Sequence, residues 1–223
     1  MPQSVFVATN QCSIDYVSPN SSHSQIGNLG VLYIGGKSLL RRPLATFNLF
    51  AAAAEGRALR ASDSDKILRA EFLAYVGSVN GPAFAAVAHR LTRANYIREE
   101  ATWNVYKTGS AWTSGGGDFA TPPADAAFTS PAALGDQAIQ DNLADHVADA
   151  LANRGGLALL IWQAVDEDPG ADKLFTWGAQ DGYTPAMRLR VTYSDATPAP
   201  ISRPPAHATM HGAPPARPAR PAR

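Results

Sequence analysis

The stretch Glu99 to Asp118, EEATWNVYKTGSAWTSGGGD, is the segment from which we predict the fold. It combines an acidic pair, a Thr-Trp-Asn triplet, a second Trp and a glycine run, and its apolar residues follow neither helical nor strand periodicity. Long ordered loops are uncommon in compact domains and usually have an architectural or functional purpose. Nothing in the segment indicates catalysis, so we expect it to belong to the architecture and to present a surface.

The segments around this loop have the character of strands. They alternate apolar and polar residues or are rich in β-branched and aromatic residues, and turn-forming pairs separate most of them. This pattern favours an all-β, jelly-roll-like antiparallel sandwich over alternating strand and helix units. The predicted strands are Ser4 to Thr9, Val31 to Ile34, Leu44 to Phe50, Ile67 to Val76, Ala85 to Leu91, Leu157 to Val165 and Arg188 to Tyr193.

One short amphipathic helix is predicted among the strands. Apolar residues recur at every fourth position, Asp136 is placed to cap the start, and Gly155 is placed to end it. Aspartates at the same spacing are interpreted as a solvated face rather than a metal site. The apolar positions are Ile139, Leu143, Val147 and Leu151, and the acidic ones are Asp141, Asp145 and Asp149.

Composition indicates one domain, residues 1–195, followed by a Pro/Ala/Arg-rich tail, residues 196–223. The tail contains four arginines and no Asp or Glu; removing these four from the 19 Lys and Arg leaves 15 basic against 19 acidic residues. An acidic body therefore carries a basic arm of polyproline character, which is either a disordered tail or a segment that becomes ordered along an acidic neighbour. Four arginines provide little affinity for nucleic acid at physiological salt. They are Arg203, Arg217, Arg220 and Arg223.

The motifs of common enzymes and metal proteins do not match. Gly36-Lys37-Ser38 lacks the earlier glycine of a phosphate-binding loop, and the histidines and Cys12 show no zinc spacing. No serine-nucleophile elbow is found. The acidic loop Asp166 to Asp172 could hold calcium in principle, but a solvated turn explains it better. We therefore predict no enzyme activity, no cofactor and no bound metal.

The N-terminal residues lack a basic cluster followed by an apolar core, and no apolar run is long enough to span a membrane. We therefore expect synthesis in a cytoplasm without export. The single cysteine, Cys12, allows no internal disulfide, so packing must stabilise the fold.

Aromatic residues are the candidates for a binding surface. Buried tryptophans supply apolar area, whereas exposed ones can stack on sugar rings. Trp103 is expected in the core. Trp112, flanked by Gly109 and the glycine run, is expected to be the most exposed. The candidate glycan or partner surface is Tyr106, Trp112 and Trp177.

Taken in order, several motifs resemble those of the DNRLRE domain family, a β-sandwich group related to carbohydrate-binding modules. The resemblance covers residues 13–193, and the Thr-Trp-Asn triplet after acidic residues is its most specific part. The closing FTWGAQDGYTP departs from the pattern expected there. The motifs are DYVSPNSSHSQIGN, LLRRPLATFNLF, ILRAEFLAYV, EEATWNVY, LALLIW and PAMRLRVTY.

The resemblance implies a set of structural residues around the loop. It implies that Trp103 holds the long loop against the core and that Arg90 pairs with Glu99 or Glu100, as a guanidinium fork suits a carboxylate. The signature residues are Arg90, Glu99, Glu100, Thr102, Trp103 and Asn104.

Three classes of function follow. The first hypothesis is a virion structural protein, such as a tailed-phage capsid cement or decoration protein or a head-fibre or tail component, that contacts the major capsid protein or neighbouring copies of itself through the sandwich and the arm. The alternative is a carbohydrate-binding module for a surface polysaccharide, with stacking on Trp112, Tyr106 or Trp177. An enzyme of polysaccharide cleavage is a third class, but it would need further domains for its chemistry.

Overall fold

The fold is antiparallel throughout its named strands. A computed structural model describes residues 1–22, 32–35, 40–120, 127–167, 174–177 and 187–195. For residues 32–35, 80 and 174–177 it describes the backbone alone. The all-β class is confirmed. The strands are β1 (Gln3–Val7), β2 (Asn10–Asp15), β3 (Leu32–Gly35), β4 (Arg41–Asn48), β5 (Ile67–Asn80), β6 (Ala85–Leu91), β7 (Val105–Lys107), β8 (Ser110–Ala111), β9 (Phe119–Ala120), β10 (Ala127–Thr129), β11 (Gly135–Gln140), β12 (Leu157–Ala164), β13 (Leu174–Trp177) and β14 (Arg188–Tyr193).

Twelve of these strands form one continuous sheet that folds over into a sandwich. Its main path runs β1, β14, β5, β13, β3, β4, β12, β6, β10, while β11 pairs with β5, β2 with β4, and β9 with β6. Side chains from β5 and β14 share one core with side chains from β4, β6 and β12, which shows that the two halves of the path face each other. The remaining pair, β7 and β8, forms a separate hairpin.

The inner core lies between these halves and is built on large apolar side chains. The rings of Phe72 and Trp162 lie 4.6 Å apart, and Phe47 and Leu189 are fully buried beside them. The indole Nε1 of Trp162 donates a 3.1 Å hydrogen bond to Gln140 Oε1, which satisfies its one buried polar atom. Trp162 is therefore a fully buried core residue.

The helix α1 (Ala144–Asn153) is present, but the predicted start is wrong. Asp136 and Ile139 lie in β11, which pairs with β5, and the helix begins after Leu143. Pairing with β5 supplies the backbone hydrogen bonds that a helix would otherwise supply, so the fourfold spacing of Ile139 from Leu143 is coincidental. Val147 and Leu151 face the inner core as predicted.

Each of the seven predicted strands overlaps an observed strand, and β6 and β14 have the predicted bounds. The hairpin β7–β8 lies inside the segment whose sequence shows no periodicity. The proposed tail, residues 196–223, lies outside the described residues. In the part of the chain that the structure describes, no helix is long and apolar enough to cross a membrane.

Candidate functional site

Residues Thr92 to Asp118, which we name the loop layer, cover the outer face of the sheet half formed by β2, β4, β6 and β12. A second apolar cluster fills the space between the loop layer and these strands. Along β12, Leu160 and Trp162 therefore face the inner core while Leu159 and Ile161 face the outer one. Burial on both faces explains why the LALLIW part of β12 is apolar at every position.

Trp103 is a fixed anchor of the loop layer, as predicted. It is 8% exposed, and its ring forms an edge-to-face pair with Tyr16 at a centroid distance of 5.4 Å. The guanidinium of Arg42 lies 4.9 Å from the ring centroid, within the range of a cation–π contact. The Trp103 carbonyl accepts a 2.8 Å hydrogen bond from the Gly116 N–H, which brings the glycine run against the indole.

The expectation that Trp112 is exposed is wrong. The residue is 5% exposed, its indole Nε1 donates a 2.9 Å hydrogen bond to the Thr102 carbonyl, and its ring lies 5.4 Å from that of Tyr106. A buried ring offers no open face for stacking on a sugar. The glycines that follow differ in exposure: Gly115 is exposed, whereas Gly116 and Gly117 are buried.

The Thr-Trp-Asn triplet shapes the loop through hydrogen bonds. Thr102 Oγ1 accepts hydrogen bonds of 3.2 Å from the backbone N–H groups of Asn104 and Val105. Asn104 Nδ2 donates to Asn20 Oδ1 at 2.9 Å, tying the loop layer to the segment after β2. The triplet therefore has a structural role, in agreement with the prediction.

The predicted pairing of Arg90 with Glu99 or Glu100 is wrong. Arg90 Nη1 lies 3.0 Å from Asp149 Oδ2 and so joins β6 to α1 on the inner side of the sheet. Glu99 pairs with Arg98 instead. Glu100 accepts a 2.7 Å hydrogen bond from the Thr108 N–H within the loop layer. Strand alternation is the reason: Leu91 packs in the outer core, so Arg90 points to the opposite face.

Asp118 closes the loop layer with a hydrogen-bonded turn. Its carboxylate accepts bonds of 2.8 and 3.0 Å from the Thr113 N–H and of 3.1 Å from the Ser114 N–H. It also accepts a 2.9 Å bond from Arg93 Nε. These hydrogen bonds lower the pKa of Asp118 against the opposing effect of burial, so the group stays ionised.

Arg42 links β4, the loop layer and the acidic loop after β12. It forms a two-point ion pair with Glu167, at 2.9 Å from Nε and 2.7 Å from Nη2, and donates from Nη1 to the Gly116 carbonyl at 2.7 Å. Glu167 belongs to the acidic loop Asp166 to Asp172, whose sequence could hold calcium in principle. Asp168 to Asp172 of this loop lie outside the described residues. Among the described residues, no group of three or more acidic, His or Cys side chains could hold a metal ion.

An open cleft of 610 Å³ lies between the loop layer and β9, and Arg42 and Gly117 contribute to its wall. Sequence reasoning did not identify these residues as a group, because they come from distant parts of the chain. The only local signal was Asp118 directly after a run of Thr, Ser and Gly, a pattern typical of side-chain-capped turns. The other wall residues include Thr92, Arg93, Thr113, Ser114, Asp118 and Phe119.

Two histidines are buried, His89 next to Arg90 in β6 and His146 in the helix. His89 Nδ1 lies 3.2 Å from the Ala120 carbonyl and its ring is 4.3 Å from Phe119, while His146 lies on α1. Both Nε2 atoms are buried without a hydrogen-bond partner among the described residues. Burial lowers the pKa of both imidazoles, so both are held neutral.

The remaining candidate residues from the sequence are Tyr106, Trp177 and the arginines of the arm. The Tyr106 ring is half-buried, with the guanidinium of Arg93 5.5 Å and the ammonium of Lys107 5.8 Å from its centroid. The backbone of Trp177 pairs with Val76 and Leu32, but its side chain lies outside the described residues. The arm residues Arg203, Arg217, Arg220 and Arg223 lie outside them too.

Comparison with known proteins supplies no relative from which a role could be transferred. No protein-family model matches the chain, and no curated protein matches it. The resemblance to the DNRLRE family therefore stays a prediction.

Proposed function

We propose that the protein is a non-enzymatic structural protein of a virion, specifically a cement or decoration protein of a tailed-phage capsid. The observation that carries this proposal is that the side chains of the loop layer make their contacts within the chain. Its tryptophans, its glutamates and Asp118 all bond to other residues of the chain. Such bonding holds a surface in one shape. A surface already ordered loses less conformational entropy when it binds a partner.

An exposed apolar pair beside the loop layer supports a contact through the sandwich. Tyr16 is 58% exposed and Val17 57% exposed, and the Tyr16 ring forms an edge-to-face pair with the anchored Trp103. Aromatic residues held in place by buried neighbours are typical of protein interfaces. The expected partner is the major capsid protein or a neighbouring copy of this chain.

The basic arm supports attachment through a second contact. Its last three arginines alternate with prolines and alanines, a fourth lies earlier at Arg203, and the body carries more acidic than basic residues. An arm that reaches an acidic neighbour converts a modest contact into a stronger combined one. The arm would therefore add affinity without changing the fold of the sandwich.

Binding to capsids tests this proposal. The wild-type chain, a deletion of residues 202–223 and a Tyr16→Ser/Val17→Ser double variant would be added to capsids purified from the phage whose genome carries the gene, and occupancy measured by quantitative gel. We expect both changes to lower occupancy. Leu134→Ser is the matched control, because Leu134 is 63% exposed next to β11 on the other sheet half.

Two outcomes would count against the proposal. Unchanged occupancy after the deletion would remove the arm from the mechanism, and failure of the wild-type chain to bind capsids at all would remove the virion role. The position of the gene gives an independent check. Adjacent capsid or portal genes would support the proposal, whereas a metabolic operon would contradict it.

A further inference from the structure

The strand β9, which follows the loop layer, rests on β6 through a small contact at His89. β9 contains only Phe119 and Ala120, which pair with Leu91 and Arg90 of β6. His89 Nδ1 lies 3.2 Å from the Ala120 carbonyl, and the His89 ring lies 4.3 Å from the Phe119 ring. The opposite edge of β6 pairs with β12 along most of its length. Few backbone bonds therefore hold β9, and segments held in this way open at a lower free-energy cost than the rest of a fold.

The surroundings of His89 suit only a neutral imidazole. Because the Ala120 carbonyl can only accept a hydrogen bond, Nδ1 carries the proton of the neutral ring and Nε2 carries none. Nε2 is buried without a hydrogen-bond partner among the described residues, and so is the side-chain oxygen of Gln163 on β12. These two groups are therefore not bonded to each other. A second proton on His89 would create a buried charge and a buried N–H without an acceptor.

The charged groups around His89 do not compensate for such a proton. Arg42 of β4 opposes a positive charge on His89, whereas Glu167, after β12, favours one. These two side chains form an ion pair with each other at 2.7 Å, so their effects on the imidazole largely offset. His146 of α1 interacts electrostatically with His89 and is itself held neutral, and β9 contributes no charged side chain. Burial is thus the largest influence on the pKa of His89, and it lowers that pKa.

We propose that His89 is an acid-sensitive contact whose protonation releases β9 and the adjoining end of the loop layer from β6. In the closed form the neutral ring donates to the Ala120 carbonyl and packs on Phe119. The protonated ring needs water at Nε2, which becomes available when β9 moves away, so a proton stabilises the open form relative to the closed one. The surface of the loop layer then keeps one shape at neutral pH and loses it in acid. The proposal does not depend on the virion role, because a free chain has the same contact.

Hydrogen–deuterium exchange of the full chain measures this opening, once the rates are corrected for the intrinsic effect of pH. The segments to compare are Thr92 to Ala120 and β5 of the inner core. An exposed imidazole has a pKa of about 6.5, so the open form should gain about tenfold in population between pH 7.5 and 5.5, since the closed form stays neutral. His89→Asn removes the titration and keeps a donor near the position of Nδ1. His146→Gln is the matched control, because it removes the other buried imidazole and suits a helix.

We expect protection of the segment Thr92 to Ala120 to fall about tenfold from pH 7.5 to 5.5 in the wild-type chain and in His146→Gln, and less than about twofold in His89→Asn. This segment should also exchange before β5 at both pH values, as local opening requires. His89→Gln is a second variant without the titration in case His89→Asn does not fold. No fall in the wild-type chain, a tenfold fall that persists without His89, a fall lost in His146→Gln, or exchange only together with β5 would each overturn the proposal.

Discussion

A glycine pair in the loop layer provides a test of how tightly this layer is packed. Gly116 and Gly109 both have positive φ, at 88° and 73°. A Cβ at Gly116 would lie 2.5 Å from Arg42 Nη1 and 2.7 and 2.8 Å from two ring carbons of Trp103. A Cβ at Gly109 would have no heavy atom within 4 Å. The two alanine variants therefore share the backbone strain and differ in packing.

The expected magnitudes follow from these two contributions. An L-residue in the left-handed region costs about 1–2 kcal/mol, and the smaller entropy of the unfolded alanine chain offsets about 0.4–1 kcal/mol of this. Gly109→Ala should therefore lower the free energy of unfolding by about 1 kcal/mol. Gly116→Ala adds about 1–3 kcal/mol of overpacking against Arg42 and Trp103, for a total of about 2–4 kcal/mol.

Urea unfolding followed by tryptophan fluorescence measures this difference, because Trp103, Trp112 and Trp162 are all buried. Both variants should show the wild-type slope with urea concentration and differ in midpoint. If the two variants lose equal stability, to within about 0.5 kcal/mol, the packing of the glycine run against Trp103 would be refuted.

Three further predictions concern buried side chains. Trp112→Ala should lower the free energy of unfolding, measured in urea, by about 3–5 kcal/mol, because it empties part of the outer core. Trp112→Phe should lower it by less. A loss below about 1 kcal/mol for the alanine variant would contradict the burial of Trp112. Burial lowers the pKa of His89 and His146, so these histidines bind protons in the unfolded chain at a pH where they do not in the folded one. The free energy of unfolding should therefore fall as the pH drops below about 6.5 and stay level above it. Equal urea midpoints at pH 7.5 and 5.5 would contradict this, because carboxylates are still ionised at pH 5.5. Burial raises the pKa of the Cys12 thiol to about 12, so a thiol reagent at pH 8 should label Cys12 only after unfolding, and rapid labelling of the folded chain would show that the outer core opens.

The sequence was sufficient for the parts of the fold that depend on local spacing. The strands β6 and β14 have the bounds that their alternating and β-branched residues predict, and Trp103 is buried as the order of motifs implies. The helix start was wrong because an apolar residue every fourth position also fits a strand followed by a helix, as at Ile139 and Leu143. Only pairing with β5 distinguishes the two.

The candidate site depended on long-range contacts that no local pattern contains. Arg42 and Glu167 are 125 positions apart in the chain, and Arg93 and Asp118 are 25 apart. A sequence reading could assign each residue to a strand or a turn, but it could not show which carboxylate each arginine would meet. The pairing of Arg90 with Asp149 rather than Glu99 has the same origin, since it depends on which face of β6 the loop layer covers.

The sequence by itself determined that this chain forms an antiparallel β-sandwich with one helix, because strand and helix propensity act over a few residues and leave a periodic trace. Only the tertiary structure decided what the segment Glu99 to Asp118 does. It lies as an additional layer over the outer face of one sheet half, with Trp112 inside and an open cleft at its edge. The physical reason is that a strand buried on both faces needs a cover from elsewhere in the chain, and burial of distant apolar surfaces against each other selects that cover.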